Sequence, residues 1–220
     1  MQIQEALSFF NNELKESDSK LIAISKTYSS DVIFEAYKYG QLAFGENKVQ
    51  EMVSKYETLP KNIAWHQVGH LQTNKVKFIA PFVSLIHSID SLSLLQVVNK
   101  EAIKNNRIIS CLLQIHISSE VTKFGFSENE AIQLLEAESL KVLSNVNIVG
   151  LMGMASNTSD LDQVRNEFKN LKMFFDLVKN KYSLTNVNLS ELSMGMSGDY
   201  KIAIEEGSNM IRIGRKIFNS

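Results

Sequence analysis

The sequence predicts a single (β/α)8 TIM barrel with one extra N-terminal helix, read as one domain over residues 1–220. Three observations carry that prediction. About eight apolar runs of strand length alternate with amphipathic helical stretches. The runs are continuous and do not alternate polar with apolar, which suits parallel strands covered on both faces. Regular alternation over this length fits a closed barrel, typically ~250 residues. A doubly wound open sheet is the competitor, but no Gly-rich fingerprint follows the first run.

The elements follow in order. Residues 4–15 form the opening helix, with Leu7, Phe10 and Leu14 at helical spacing. The run Leu21-Ile22-Ala23-Ile24 is the first strand and delivers Ser25-Lys26-Thr27. Ser30-Asp31 caps a helix that Gly40 closes. A short strand over 42–45 leads to Glu46-Asn47, and Val49, Met52, Val53 and Tyr56 share one face of the next helix. Residues 63–68 form a strand broken by Gly69-His70, with a helix over 73–79. A strand over 82–86 precedes the loop His87-Ser88-Ile89-Asp90 and a helix over 91–104.

Residues 108–117 are the longest apolar run, and the following loop holds Glu120, Lys123 and Gly125. Ser127 and Glu130 make a capping box for the next helix. A strand over 146–152 is followed by a helix with Val164, Phe168, Leu171, Phe175 and Val178 on one stripe. A strand over 187–192, a short helix over 199–206 closed by Gly207, and a last strand over 210–213 complete the set.

Composition removes several function classes. Lys and Arg number 23 against 24 Asp and Glu, for a net charge of −1, so no basic field advertises nucleic acid or an anionic membrane. The one cysteine, Cys111, sits in an apolar run and forms no internal disulfide, as expected in a reducing compartment. The first residues lack a basic n-region and a long apolar h-region. No apolar run approaches the ~20 residues that cross a bilayer. A soluble cytoplasmic protein is expected.

In a barrel of this kind, chemistry belongs on the loops after the strands. Lys26 ends the first apolar run, and apolar neighbours and nearby arginines would disfavour its charged form, making it a candidate amine for capturing an aldehyde. The competing reading is a lysine that snorkels to solvent. Two late loops suit an anion. Ser193-Met194-Gly195-Met196-Ser197-Gly198-Asp199 runs straight into a helix, and Gly214-Arg215 follows the last strand. In barrels the loops after the seventh and eighth strands are frequent phosphate sites. A strand-end lysine beside a phosphate site points to a phosphorylated aldehyde, either pyridoxal phosphate or the sugar phosphate of a class I aldolase. Lys123 is the rival lysine, read as solvated beside Glu120. His66, His70 and His87 lack metal-ligand spacing, so no metal is expected. Met152, Met154, Met194 and Met196 read as adaptable packing.

Seven stretches fit one pattern in order: Ile24-Ser25-Lys26-Thr27; Phe44-Gly45-Glu46-Asn47-Lys48-Val49-Gln50-Glu51; Trp65-His66-Gln67-Val68-Gly69-His70-Leu71-Gln72-Thr73-Asn74-Lys75; His87-Ser88-Ile89-Asp90; Gly150-Leu151-Met152; Leu192-Ser193-Met194-Gly195-Met196-Ser197; and Arg212-Ile213-Gly214. Over residues 20–218 the chain resembles the pyridoxal phosphate homeostasis protein family, single-domain relatives of the alanine racemase N-terminal barrel. The resemblance implies that Lys26 forms a Schiff base with pyridoxal 5'-phosphate. It implies that Ser197, Gly198, Gly214 and the residue 215 backbone hold the phosphate, that Arg212 approaches the pyridine nitrogen, and that Asn47 lies near the ring. For His66 and His70 it implies only proximity to the mouth. The chain departs from the family pattern at Arg215 and Asn219, which puts a side-chain role for Arg215 in question.

The function so implied is a carrier or buffer of pyridoxal phosphate in vitamin B6 homeostasis, with no catalytic residues and with apo-enzymes as candidate recipients. The chain is expected to be a monomer. The alternative is an amino-acid racemase, which needs a base on each face of the cofactor. Tyr28 or Tyr200 could be proposed for such a base, and neither sits in a matching motif.

Overall fold

The computed structural model describes residues 2–17, 19–120, 124–182 and 184–218. Helix α1 (Ile3–Leu14) precedes strand β1 (Lys20–Ile24), and its capping box is made by Gln2 and Glu5. The repeating units follow as α2 (Ser30–Lys38), β2 (Ala43–Glu46), α3 (Val49–Thr58), β3 (Ala64–Gln67) and, after a 3-10 turn at Thr73–Lys75, α4 (Val76–Ile79). Next come β4 (Leu85–Ile89), α5 (Leu92–Lys104), β5 (Ile109–Ile115), α6 (Glu128–Glu136) and α7 (Glu138–Lys141). The chain closes with β6 (Val146–Gly153), α8 (Leu161–Lys181), β7 (Val187–Ser193), α9 (Tyr200–Glu205), β8 (Met210–Ile213) and α10 (Arg215–Phe218). Strands β1 to β8 form one closed barrel in sequence order, and β8 pairs in parallel with β1. Closure excludes the open doubly wound sheet.

Two apolar cores fill the barrel, as the side-chain period of a strand requires. Leu21 and Ala23 point outward into a large cluster between strands and helices, with Phe10, Phe44, Trp65 and Phe168. Ile22 points inward, joining Leu85, Leu112, Met152 and Met210, with Ile24 packed alongside. Strand β6 comes so close to β7 that a Cβ at Gly150 would lie 1.7 Å from the Glu191 carbonyl oxygen. Only glycine permits that approach.

Polar groups complete the lumen. Arg212 on β8 is 4 % exposed and donates from Nη1 to the Ser193 carbonyl (2.9 Å) and Oγ (2.6 Å), and from Nη2 to the Gly153 carbonyl (3.0 Å). Ser193 Oγ lies 3.2 Å from His87 Nδ1, and His87 Nε2 lies 2.9 Å from His66 Nδ1. Burial pushes His66 from 6.5 down to about 4, aided by Lys20. Burial, then His66 and Arg212, hold His87 well below the ordinary histidine range. A file of one cation and two neutral imidazoles therefore runs across β8, β7, β4 and β3.

Four expectations need correction. The expected strand over 82–86 lies three residues too early, because Val83 is buried in a turn, its N–H donating to the Ile79 carbonyl. His87 and Ser88 are consequently inside β4, fully buried, and not in a mouth loop. His66 is likewise buried in the lumen, away from the mouth. The Ser30-Asp31 cap is shifted by one, since Ser29 is the N-cap residue.

Two outcomes follow. Gly150→Ala should lower the unfolding free energy by ~3 kcal/mol or more, as forced overpacking does; a melting curve matching the parent would contradict the β6–β7 contact. The buried histidines should also shape the acid limb. The unfolded chain takes up protons as pH falls through about 6.5, whereas folded His66 does so only near 4. Stability is thus full above 6.5 and lost between 6.5 and 4, with ~2 kcal/mol lost by pH 5 from His66 alone. Glu46, raised by its burial, works in the opposite sense near the carboxylate range. Urea unfolding at pH 7 and pH 5 should show a smaller difference for the His66→Gln, His87→Gln double variant than for the parent; equal differences would contradict this account.

Candidate functional site

The C-terminal ends of the strands open onto two adjoining cavities of about 330 Å³ and 480 Å³. Both share Ile24, Lys26, Met154, Met196 and Arg212. The smaller adds Asn47, Val68, Gly69, His70, Gln114 and Phe124; the larger adds Ser197, Gly198, Gly214 and Arg215, among others. All seven predicted site residues therefore line these two cavities. Each volume falls in the range of small-molecule and cofactor sites.

Lys26 differs from its expected setting. It lies two residues beyond β1, on a turn, with its side chain exposed at the mouth. Its exposure contradicts the expectation that apolar neighbours keep the ammonium from water. Thr27, next in the chain, has φ +70°, left-handed backbone that a β-branched residue rarely adopts.

Arg212 enters both cavities from the lumen floor. Burial lowers it to about 10, with Asp199 opposing, so it remains a cation at neutral pH. Asn47 is held through its backbone: Gln67 Nε2 donates to the Asn47 and Gly69 carbonyls, each at 3.0 Å. Glu46, grouped with Asn47 as a mouth residue in the sequence, is fully buried at the end of β2 and turns away from the cavities. His70 lies at the rim, with Nδ1 3.1 Å from Asp90 Oδ2 and its ring stacked on Phe124 at 4.0 Å.

The late loops carry unpaired donors. Among the described residues, the N–H groups of Ser197, Gly198 and Arg215 have no protein acceptor. The neighbouring N–H groups are used: Met196 donates to Asp199 Oδ1 (2.6 Å), and Asp199 and Tyr200 donate to the Met196 carbonyl. A Cβ at Gly198 would meet nothing within 4 Å, so the backbone there faces open space. Arg215 is exposed and begins α10. Unpaired N–H groups converging on one open cavity favour a compact anion.

The remaining candidates lie elsewhere. Lys123 is outside the described residues, and its expected partner Glu120 accepts from the Asn157 N–H at 2.9 Å. Tyr200 faces α1 and donates to Glu13 Oε2 at 2.6 Å; Tyr28 packs on Phe218 at 4.8 Å. Met154 and Met196 line the cavities, while Met152 and Met194 are core. Among the described residues, no group of three or more His, Cys, Asp or Glu side chains could hold a metal ion. Sequence reasoning missed the polar lumen file and the buried Lys55, whose Nζ sits 2.7 Å from Glu46 Oε1. The available signals were histidines inside apolar runs and a lysine on the Val49–Met52 stripe.

Comparison with known proteins agrees with this architecture. The family model for the alanine racemase N-terminal domain matches residues 2–219. The pyridoxal phosphate homeostasis protein of Aquifex aeolicus (strain VF5) is 40 % identical over 204 residues, 92 % of this chain and 87 % of that protein. The protein of the same name from Vibrio alginolyticus is 35 % identical over 99 % of this chain and 97 % of its own length. A structure of PipY from Synechococcus elongatus PCC7942 without PLP superposes with a TM-score of 0.91 at 33 % identity, covering 99 % of this chain and all of PipY. PipY with PLP bound gives 0.87 at 32 % identity, with the same coverage. The chain belongs to the alanine racemase N-terminal-domain family, within its pyridoxal phosphate homeostasis protein branch.

Proposed function

We propose that the paired cavities hold pyridoxal 5'-phosphate and that the protein carries or buffers this cofactor for vitamin B6 homeostasis, with little or no turnover. The observation that carries the reading is the set of unpaired N–H groups at Ser197, Gly198 and Arg215 opening onto the cavity that also contains the Lys26 amine. A phosphorylated aldehyde needs both features, an anion cradle and a primary amine. The names of the relatives and the PLP-bound PipY structure support the same ligand.

The residues divide the work. Ser197, Gly198 and Arg215 would bind the phosphate through their unpaired backbone N–H groups just before α9 and at the start of α10, with Gly214 lining the same cavity. Lys26 is the covalent anchor. Its place on an exposed turn lets it meet the aldehyde and release it. Asn47, steadied by Gln67, would lie beside the ring, and Arg212 would face the ring nitrogen from the lumen. When bound, pyridoxal phosphate supplies a reversible aldehyde and an electron-withdrawing pyridine ring. Arg212 keeps its proton, so it offers charge and hydrogen bonds but no acid to the ring nitrogen. That arrangement weakens support for carbanion chemistry, and a holder needs none.

The racemase alternative draws no support from Tyr200. Tyr200 is engaged with Glu13 on the outer face, and its hydroxyl is pushed up by burial and by that carboxylate. Among the described residues no helix is long and apolar enough to cross a membrane. We read the protein as a cytoplasmic monomer that yields its cofactor to apo-enzymes.

Incubation with pyridoxal phosphate should produce a visible absorption band, and borohydride should fix the label on the Lys26 peptide. Lys26→Ala should abolish both. Label on another lysine, or none, would sink the anchor assignment. Release of α-deuterium from amino acids at enzymatic rates would defeat the carrier reading.

A further inference from the structure

The turn that carries Lys26 is gripped on both sides by residues that line neither cavity. Before it, Ser25 Oγ donates to Glu46 Oε1 at 2.5 Å, and Lys55 Nζ donates to the Ser25 carbonyl at 2.8 Å and to Glu46 Oε1 at 2.7 Å. After it, the Thr27 N–H donates to Glu51 Oε2 at 3.0 Å. Lys55 Nζ also lies 3.8 Å from that same Glu51 oxygen, so one ammonium links the two grips. Glu51 and Lys55 sit one turn apart on α3, and Glu46 ends β2. Between the grips, Thr27 is held at φ +70°.

This arrangement is poorly explained as a stabilising device. Lys55 and Glu46 are 8 % and 0 % exposed at the side chain. A buried ion pair loses so much hydration that its net contribution to stability is small. Left-handed threonine adds strain, which persists only where the surroundings over-determine it. The two unfavourable features meet on either side of one exposed lysine.

We propose that Glu51, backed by the Lys55–Glu46 pair, is a positioning residue that holds the Lys26 turn in the left-handed form and thereby keeps the amine at the cavity. Glu51 acts through the Thr27 backbone and does not touch the ligand. The proposal rests on Lys26 as the anchor for pyridoxal phosphate, but the clamp itself can be measured without the ligand.

The test has two arms. In the ligand-free protein, Glu51→Ala should speed amide hydrogen exchange at Thr27 about tenfold, the loss of one hydrogen bond. When pyridoxal phosphate is added to the ligand-free protein, the rate at which it becomes fixable by borohydride should fall about tenfold for the same variant. Glu51→Gln, whose amide oxygen still accepts from Thr27, should keep a rate near the parent's. Thr27→Gly takes φ +70° without strain and should restore much of the fixation rate in the Glu51→Ala background. A mere packing role would not produce that rescue. The proposal is overturned if Glu51→Ala exchanges and fixes at parental rates, or if Thr27→Gly fails to restore fixation. Should the parent itself fix no pyridoxal phosphate, the cofactor reading fails, and the exchange arm alone still decides the clamp.

Discussion

The buried guanidinium of Arg212 is the constraint on which the site depends. A cation 4 % exposed within a barrel must find acceptors, and it finds them on the ends of β6 and β7, at Gly153 and Ser193. Those bonds tie the last three strands together at the level of the mouth. Burial, then His66 and the Arg212 charge, keep His87 neutral, and burial with Lys20 keeps His66 neutral. The lumen floor is therefore polar and well connected, and it presents one fixed positive group upward to both cavities.

A second layer works from outside the barrel wall. Glu46, Lys55 and Glu51 govern the backbone around Lys26, while Gln67 governs Asn47. Neither set needs to meet a ligand. The lysine can then be exposed and movable at its tip while its backbone stays over-determined. A holder of a reactive aldehyde requires that combination, because a rigid anchor would not release and a loose one would not capture.

Much of the barrel was legible because parallel strands covered on both faces read as unbroken apolar runs. The last strand matches its expected bounds, Met210–Ile213, and Gly40 and Gly207 both take the positive φ expected after a helix. The error at β4 has a physical cause: Val83 is apolar because it is buried in a turn, and hydropathy does not separate that from a strand. Lys26 and the two glycine loops were legible through lysine and glycine chemistry at loop positions, whereas the roles of Asn47 and Arg212 came from the family resemblance. Their supports were not, because Glu46 with Lys55, Ser193 with His87, and Gln67 with Asn47 are partnerships made by closure of the barrel. The exposure of Lys26 agrees with the competing reading, which the apolar run alone did not decide. An apolar approach says nothing about where the turn beyond it points.

The central claim is that an anion cradle and a separate amine together select a phosphorylated aldehyde. Calorimetric titration of the parent and of Lys26→Ala, each with pyridoxal phosphate and with unphosphorylated pyridoxal, tests it most directly. The account predicts that Lys26→Ala still binds pyridoxal phosphate, more weakly than the parent, and that pyridoxal binds at least tenfold more weakly than the phosphorylated form to both proteins. Equal affinity for the two aldehydes would contradict it.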